Sequence, residues 1–139
     1  MKELRFDTGL VSYKLNDAVE VAFNPTDMAF VERLFNVFSA LDKKQSEYDT
    51  EKAANTDARQ FFDAARRLDG EMRGMIDEVF GQPVCASLFN GMNVYAFADG
   101  LPVWCNLMFA VMDEIDSGIV QEKTALNPRI QKYTAKYHK

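Results

Sequence analysis

Histidines, cysteines and converging carboxylates are the side chains from which catalysis or metal binding would have to be built, and this chain arranges none of them for it. The sole histidine, His138, sits in a basic terminal run, where nothing would hold its imidazole within hydrogen-bond reach of a substrate. Cys85 and Cys105 lie in apolar surroundings, PVCASLF and VWCNLM, and read as buried free thiols of a reducing cytoplasm. With one histidine they make no zinc spacing, and there is no glycine-rich phosphate loop. Asp113, Glu114 and Asp116 lie close together with Glu122 beyond, and Asp77-Glu78 form a second acidic pair. Acid–base or metal chemistry needs carboxylates meeting in a dry cleft. Neighbouring acids at a helix end read instead as a solvated face, so no catalytic residue, cofactor or metal ligand is assigned.

The element that must organise the rest is the stretch LPVWCNLMFAVMDEIDSGIVQ, residues 101 to 121. From Leu101 to Met112 only Asn106 is strongly polar, which predicts a helix with neighbours on nearly every side. The run is shorter than the ~20 apolar residues that cross a bilayer, and it ends in acids, so no membrane partner is expected. The length, 139 residues, suits one domain, and the hydrophobic content of 47% with 11 Phe argues for a folded core. Only 7 Gly and 4 Pro are too few for a sandwich with frequent turns. The MKELRFDTGL start lacks the apolar run of a signal peptide, and the expected compartment is the cytoplasm.

Charge divides the chain. Residues 1–122 carry 11 basic and all 21 acidic side chains, a balance of −10, while 123–139 carry five basic and no acidic ones. The expected organisation is therefore an acidic, mainly helical body over 1–122 and a basic amphipathic tail over 123–139. An acidic body repels nucleic acid, so none is expected as partner.

From Leu4 to Phe23 the pattern is strand-like, with Asn16-Asp17 suited to a tight turn, and predicts a β-hairpin. Asn24-Pro25-Thr26-Asp27 signals a helix start, with Asn24 as cap and Pro25 in the first turn. This helix, expected over 25–53, should project from the core beyond Leu41, where the sequence turns polar. Met28, Val31, Phe35 and Phe38 lie on its wide apolar arc and are candidate partner-binding residues. A second helix is expected over 57–80, opened by a capping box at Asp57 and closed by Gly81; within it Gly70 and Gly74 would permit either a close helix crossing or a kink. A short helix over 83–89 and the core helix over 101–122 follow, with MNVYAFADG between them open to either a helical turn or a strand. Met72, Met75, Met108 and Met112 share helical spacing with Phe and Leu and read as core filling.

Asn127-Pro128 repeats the earlier start signal and predicts a terminal helix to about Tyr137. On a wheel of ~100° per residue, Ile130, Tyr133 and Tyr137 form one stripe and Arg129, Lys132, Lys136 and Lys139 the stripe beside it. Arg129, Ile130, Lys132, Tyr133, Lys136 and Tyr137 complete the candidate partner-binding set. One expected arrangement docks this basic helix on the acidic body of a neighbouring copy, giving head-to-tail assembly.

The segments VAFNPTDMAFVERLFNVFSALDKK, GMNVYAFADGLPVWCNLMFAVMDEID and NPRIQKYTAKYHK resemble tail assembly chaperone-like proteins of long-tailed phages and prophages of Gram-positive bacteria. The resemblance covers nearly the whole chain and includes no catalytic signature. It implies a non-enzymatic assembly factor that coats the tape measure protein, keeps its long helices soluble, and in a longer frameshifted form recruits the major tail protein. The rivals are another phage structural protein, for tail completion or head–tail connection, and an enzyme using carboxylates and a metal alone.

Overall fold

The computed structural model describes residues 1–124, with side chains through Ile119. The terminal basic helix expected over 128–137 lies outside the described residues. Within them the fold is mainly α with a small N-terminal antiparallel hairpin, the class the sequence pattern predicts. Strands β1 (Val11–Leu15) and β2 (Val19–Phe23) pair with Val11 opposite Phe23 and Leu15 opposite Val19. Asn16 and Asp17 make the turn at φ 51° and 56°, a left-handed pair that Asn and Asp accept at low cost. The hairpin is marginal by itself and is held by its own helices, with Val21 and Phe23 buried and Tyr13, Leu15 and Val19 packed on the core. Tyr13 stacks on Phe23 and Phe23 on Phe30, both at 4.5 Å between ring centres.

The strand expected from Leu4 does not form. Residues 1–10 have no regular structure, and Leu4 and Phe6 are 86% and 81% exposed because no second strand runs beside them. The Asn24-Pro25-Thr26-Asp27 signal also acts three residues later than expected. Asn24 Oδ1 accepts from the Thr26 N–H at 2.8 Å and closes a turn, and Asp27 Oδ1 accepts from the Ala29 N–H at 3.0 Å as the cap of helix α1 (Met28–Ala54). Pro25 is therefore outside the helix.

Helix α2 (Ala58–Phe80) is capped by Asp57 as expected, and ends in a left-handed Gly81 whose neighbour Gln82 bonds back to the Asp77 carbonyl. It lies along most of α1, so the polar half of α1 does not project. Tyr48 stacks on Tyr95 at 3.8 Å and meets Phe61 at 5.7 Å. A Cβ at Gly70 or Gly74 would meet nothing within 4 Å, so neither glycine serves a close crossing. Close approach occurs at Gly118, where a Cβ would lie 2.5 Å from Pro25 Cγ.

The short helix α3 is Cys85–Phe89, and Asn93–Gly100 resolves into turns and the tiny strand β3 (Phe97–Ala98), which pairs with β4 (Leu101–Pro102). The core helix α4 consequently starts at Val103, two residues later than expected, and runs to Thr124. Trp104, Met108, Val111 and Ile115 are buried along it, with Leu34, Leu41, Leu68, Met72 and Ile76 of the facing helices. No helix among the described residues is long and apolar enough to cross a membrane.

Candidate functional site

Polar chemistry inside the fold is spent on holding it together. Asp69, Arg73 and Asp77 recur at four-residue spacing on α2 and form one row. Asp77 Oδ1 accepts from the backbone N–H groups of Val84 and Cys85 at 2.9 and 3.0 Å, which caps α3. Asp69 Oδ1 accepts from the Val94 N–H at 2.8 Å, and Arg73 donates to the carbonyls of Asn90 and Met92. The row pins the 84–94 segment, and the solvated-face reading of Asp77 is corrected accordingly. A hydrogen bond needs only one donor and one acceptor in reach, so sequence spacing gave no hint of the loop partners.

Cys85 is buried and free, its thiol pushed up to about 12 by burial and then by Asp77, so it carries no thiolate to react. Cys105 is likewise buried, and its thiol is raised by burial first and by Asp42 second. Asp113, Glu114 and Asp116 are all exposed. Among the described residues no three His, Cys, Asp or Glu side chains come together as metal ligands would. A cleft of about 750 Å³ lies between the hairpin and the α1–α2 pair, and no His, Cys or Ser lines it. There Asp27 is committed to its cap, and Arg33 lies over the Phe30 ring at 5.7 Å.

What stands out instead is one flank of α1. Helices α1 and α4 run antiparallel: Trp104 at the start of α4 donates from Nε1 to the buried Gln45 Oε1 at 2.9 Å, and Gly118 near its end meets Pro25. Phe38 lies between them, 5.4 Å from Trp104 and 5.7 Å from Phe109. Of the four candidate residues on α1, Val31 and Phe38 are partly buried against the core, whereas Met28 and Phe35 are 58% and 51% exposed. Phe109, on the adjoining flank of α4 and 40% exposed, extends the same apolar strip and was not singled out from sequence, because a strongly apolar helix shows no preferred outer face. By helical spacing, exposed Glu32 and Asp42 on α1 and Asp113 and Asp116 on α4 flank the strip, with Lys43 beside them. Arg129, Ile130, Lys132, Tyr133, Lys136 and Tyr137 lie outside the described residues.

Comparison with protein-family models, curated proteins and solved structures finds no match to this chain.

Proposed function

We propose that this chain is a non-enzymatic assembly factor of a long-tailed phage, acting in the bacterial cytoplasm, that binds the tape measure protein and keeps its helices soluble until tube subunits polymerise around it. The observation that carries the reading is the α1–α4 strip. Met28, Phe35 and Phe109 leave apolar surface exposed along the α1–α4 flank, the kind of surface on which the apolar face of an amphipathic helix docks. The flanking carboxylates keep such a surface soluble and favour a client with basic residues beside its apolar face. The major tail protein would be met through the client as the tube forms.

Co-expression with the tape measure protein of the same prophage, followed by affinity capture and light scattering, tests this directly. The expected result is a soluble complex with several copies of this chain per client. A client that stays soluble with no copy bound would remove the assignment. Recovery of the chain as a stable component of purified virions would move it to the structural proteins of the tail or connector.

A further inference from the structure

The strip has a measurable length and an open end. Met28 to Phe38 spans ten residues of α1, about 15 Å at ~1.5 Å per residue. Because α4 runs antiparallel to α1 and Gly118 already lies against Pro25, the chain leaves α4 at Thr124, about 9 Å of helix past that contact and off the Met28 end of the strip. Fifteen residues follow, 125–139, with Arg129, Lys132, Lys136 and Lys139 and no acidic side chain. Their sequence is matched to the strip in three ways. Leu126-Asn127-Pro128 is a place for the chain to turn back, since the residue before a proline avoids helical backbone. The helix that the pattern predicts from Pro128 to Tyr137 is also about 15 Å long. Its apolar residues, Ile130, Tyr133 and Tyr137, are spaced as Met28, Val31 and Phe35 are, and its cations fall along one edge of that stripe, opposite in charge to the acids that flank the strip.

We propose that residues 125–139 fold back onto the α1–α4 strip of their own molecule, setting Ile130, Tyr133 and Tyr137 on Phe35, Phe38 and Phe109, as an internal occupant that any client helix must displace. A tether of a few residues gives an effective concentration on the order of mM, which favours the chain's own strip over that of a neighbouring copy at working protein concentrations. Docking of the tail does not depend on the identity of the client.

Zero-length carbodiimide crosslinking of the full chain, with ordinary and ¹⁵N-labelled protein mixed and no client present, tests the placement. Links from Lys132 or Lys136 to Glu32, Asp42, Asp113 or Asp116 are expected within single-isotope chains. Their yield should fall about tenfold, equivalent to about 1.4 kcal/mol of lost contact, in the full-length Phe35→Ser/Phe109→Ser protein. The same fall is expected in Ile130→Ser/Tyr133→Ser, which leaves every core residue among the described ones unchanged. Mixed-isotope links would assign the strip to the tail of a second copy and overturn the proposal. So would links mainly to distant carboxylates such as Asp57, or yields that neither variant lowers. Intact tail links beside failed capture of the tape measure protein would remove the assembly-factor reading alone.

Discussion

Helix α1 meets α2 along one side and α4 along another, and the two seams are finished differently. At the α2 seam the margin is charged and paired. Lys44 Nζ lies 2.8 Å from Glu71 Oε2 and 3.5 Å from Glu47, while Arg67 reaches Glu71 at 3.1 Å and Glu47 at 3.5 Å. At the α4 seam the interior is just as closed, with Trp104 bonded to Gln45 and covered by Phe38, but the outer margin is Met28, Phe35 and Phe109 between carboxylates. The described residues place no cross-seam ion pair there. A seam that only holds two helices together is served by mixed charges at its edge. An apolar margin left partly in water does less for the two helices beneath it than their buried side chains do, and is suited to a third.

Neighbouring residues of α1 break or sharpen this comparison most sharply. Leu34 is fully buried and Phe35 half-exposed. Leu34→Ala should cost about 2–5 kcal/mol in urea unfolding, as cavity-forming Leu truncations do. Next in size is Trp104→Phe, which leaves Gln45 Oε1 without its donor in the core and should cost about 1–3 kcal/mol, the penalty of an unsatisfied buried polar group. Adding Gln45→Leu should return part of that loss, and a double mutant no more stable than the single would mean the bond is not what matters. Phe35→Ala should change stability by less than about 0.5 kcal/mol, as surface changes do. A large loss there would make Phe35 a core residue.

The smallest effect is expected at the paired seam. Hydrogen bonding to Lys44 first, and to Arg67 after it, holds the Glu71 carboxyl below its usual 4.5. A depressed folded value stabilises at pH above 4.5 and that stabilisation is lost as pH falls through the folded value. Glu71 is 37% exposed, so solvent and salt weaken the pair. Glu71→Gln should therefore lower Tm slightly at pH 7 and lower it less at a pH well into the acid range. An equal drop at both pH values would show that packing, not charge, is lost.

Legibility of the sequence followed the range of the forces involved. Local signals read well: the Asn16-Asp17 turn, the Asp57 cap, the Gly81 stop and the apolar run of α4 each act within a few residues. Signals that depend on a distant partner read badly. Leu4 and Phe6 alternate like a strand but find no partner strand, and Pro102 pairs with Phe97 in β4 instead of opening α4. The polar end of α1 was expected to project because nothing in its own sequence announces that α2 would cover it. Gly70 and Gly74 read as allowing either a close crossing or a kink, yet a Cβ at either would meet nothing within 4 Å, whereas Gly118, set in an apolar helix, lies against Pro25. For the strip, Met28, Val31, Phe35 and Phe38 were legible as one arc. Which half of that arc stays exposed depends on where α4 lies, and Phe109 joins it only in three dimensions.

The central claim is that the α1–α4 strip is a docking surface and not a part of the core. It is tested most directly by capturing the tape measure protein with the full chain and with its Phe35→Ser/Phe109→Ser variant while measuring the urea midpoint of each. A cooperative transition with a modestly lowered midpoint is expected, with client recovery reduced about tenfold or more, the loss that follows when anchors worth ~1.4 kcal/mol or more are removed. Undiminished recovery of the client by a variant that folds normally would contradict it.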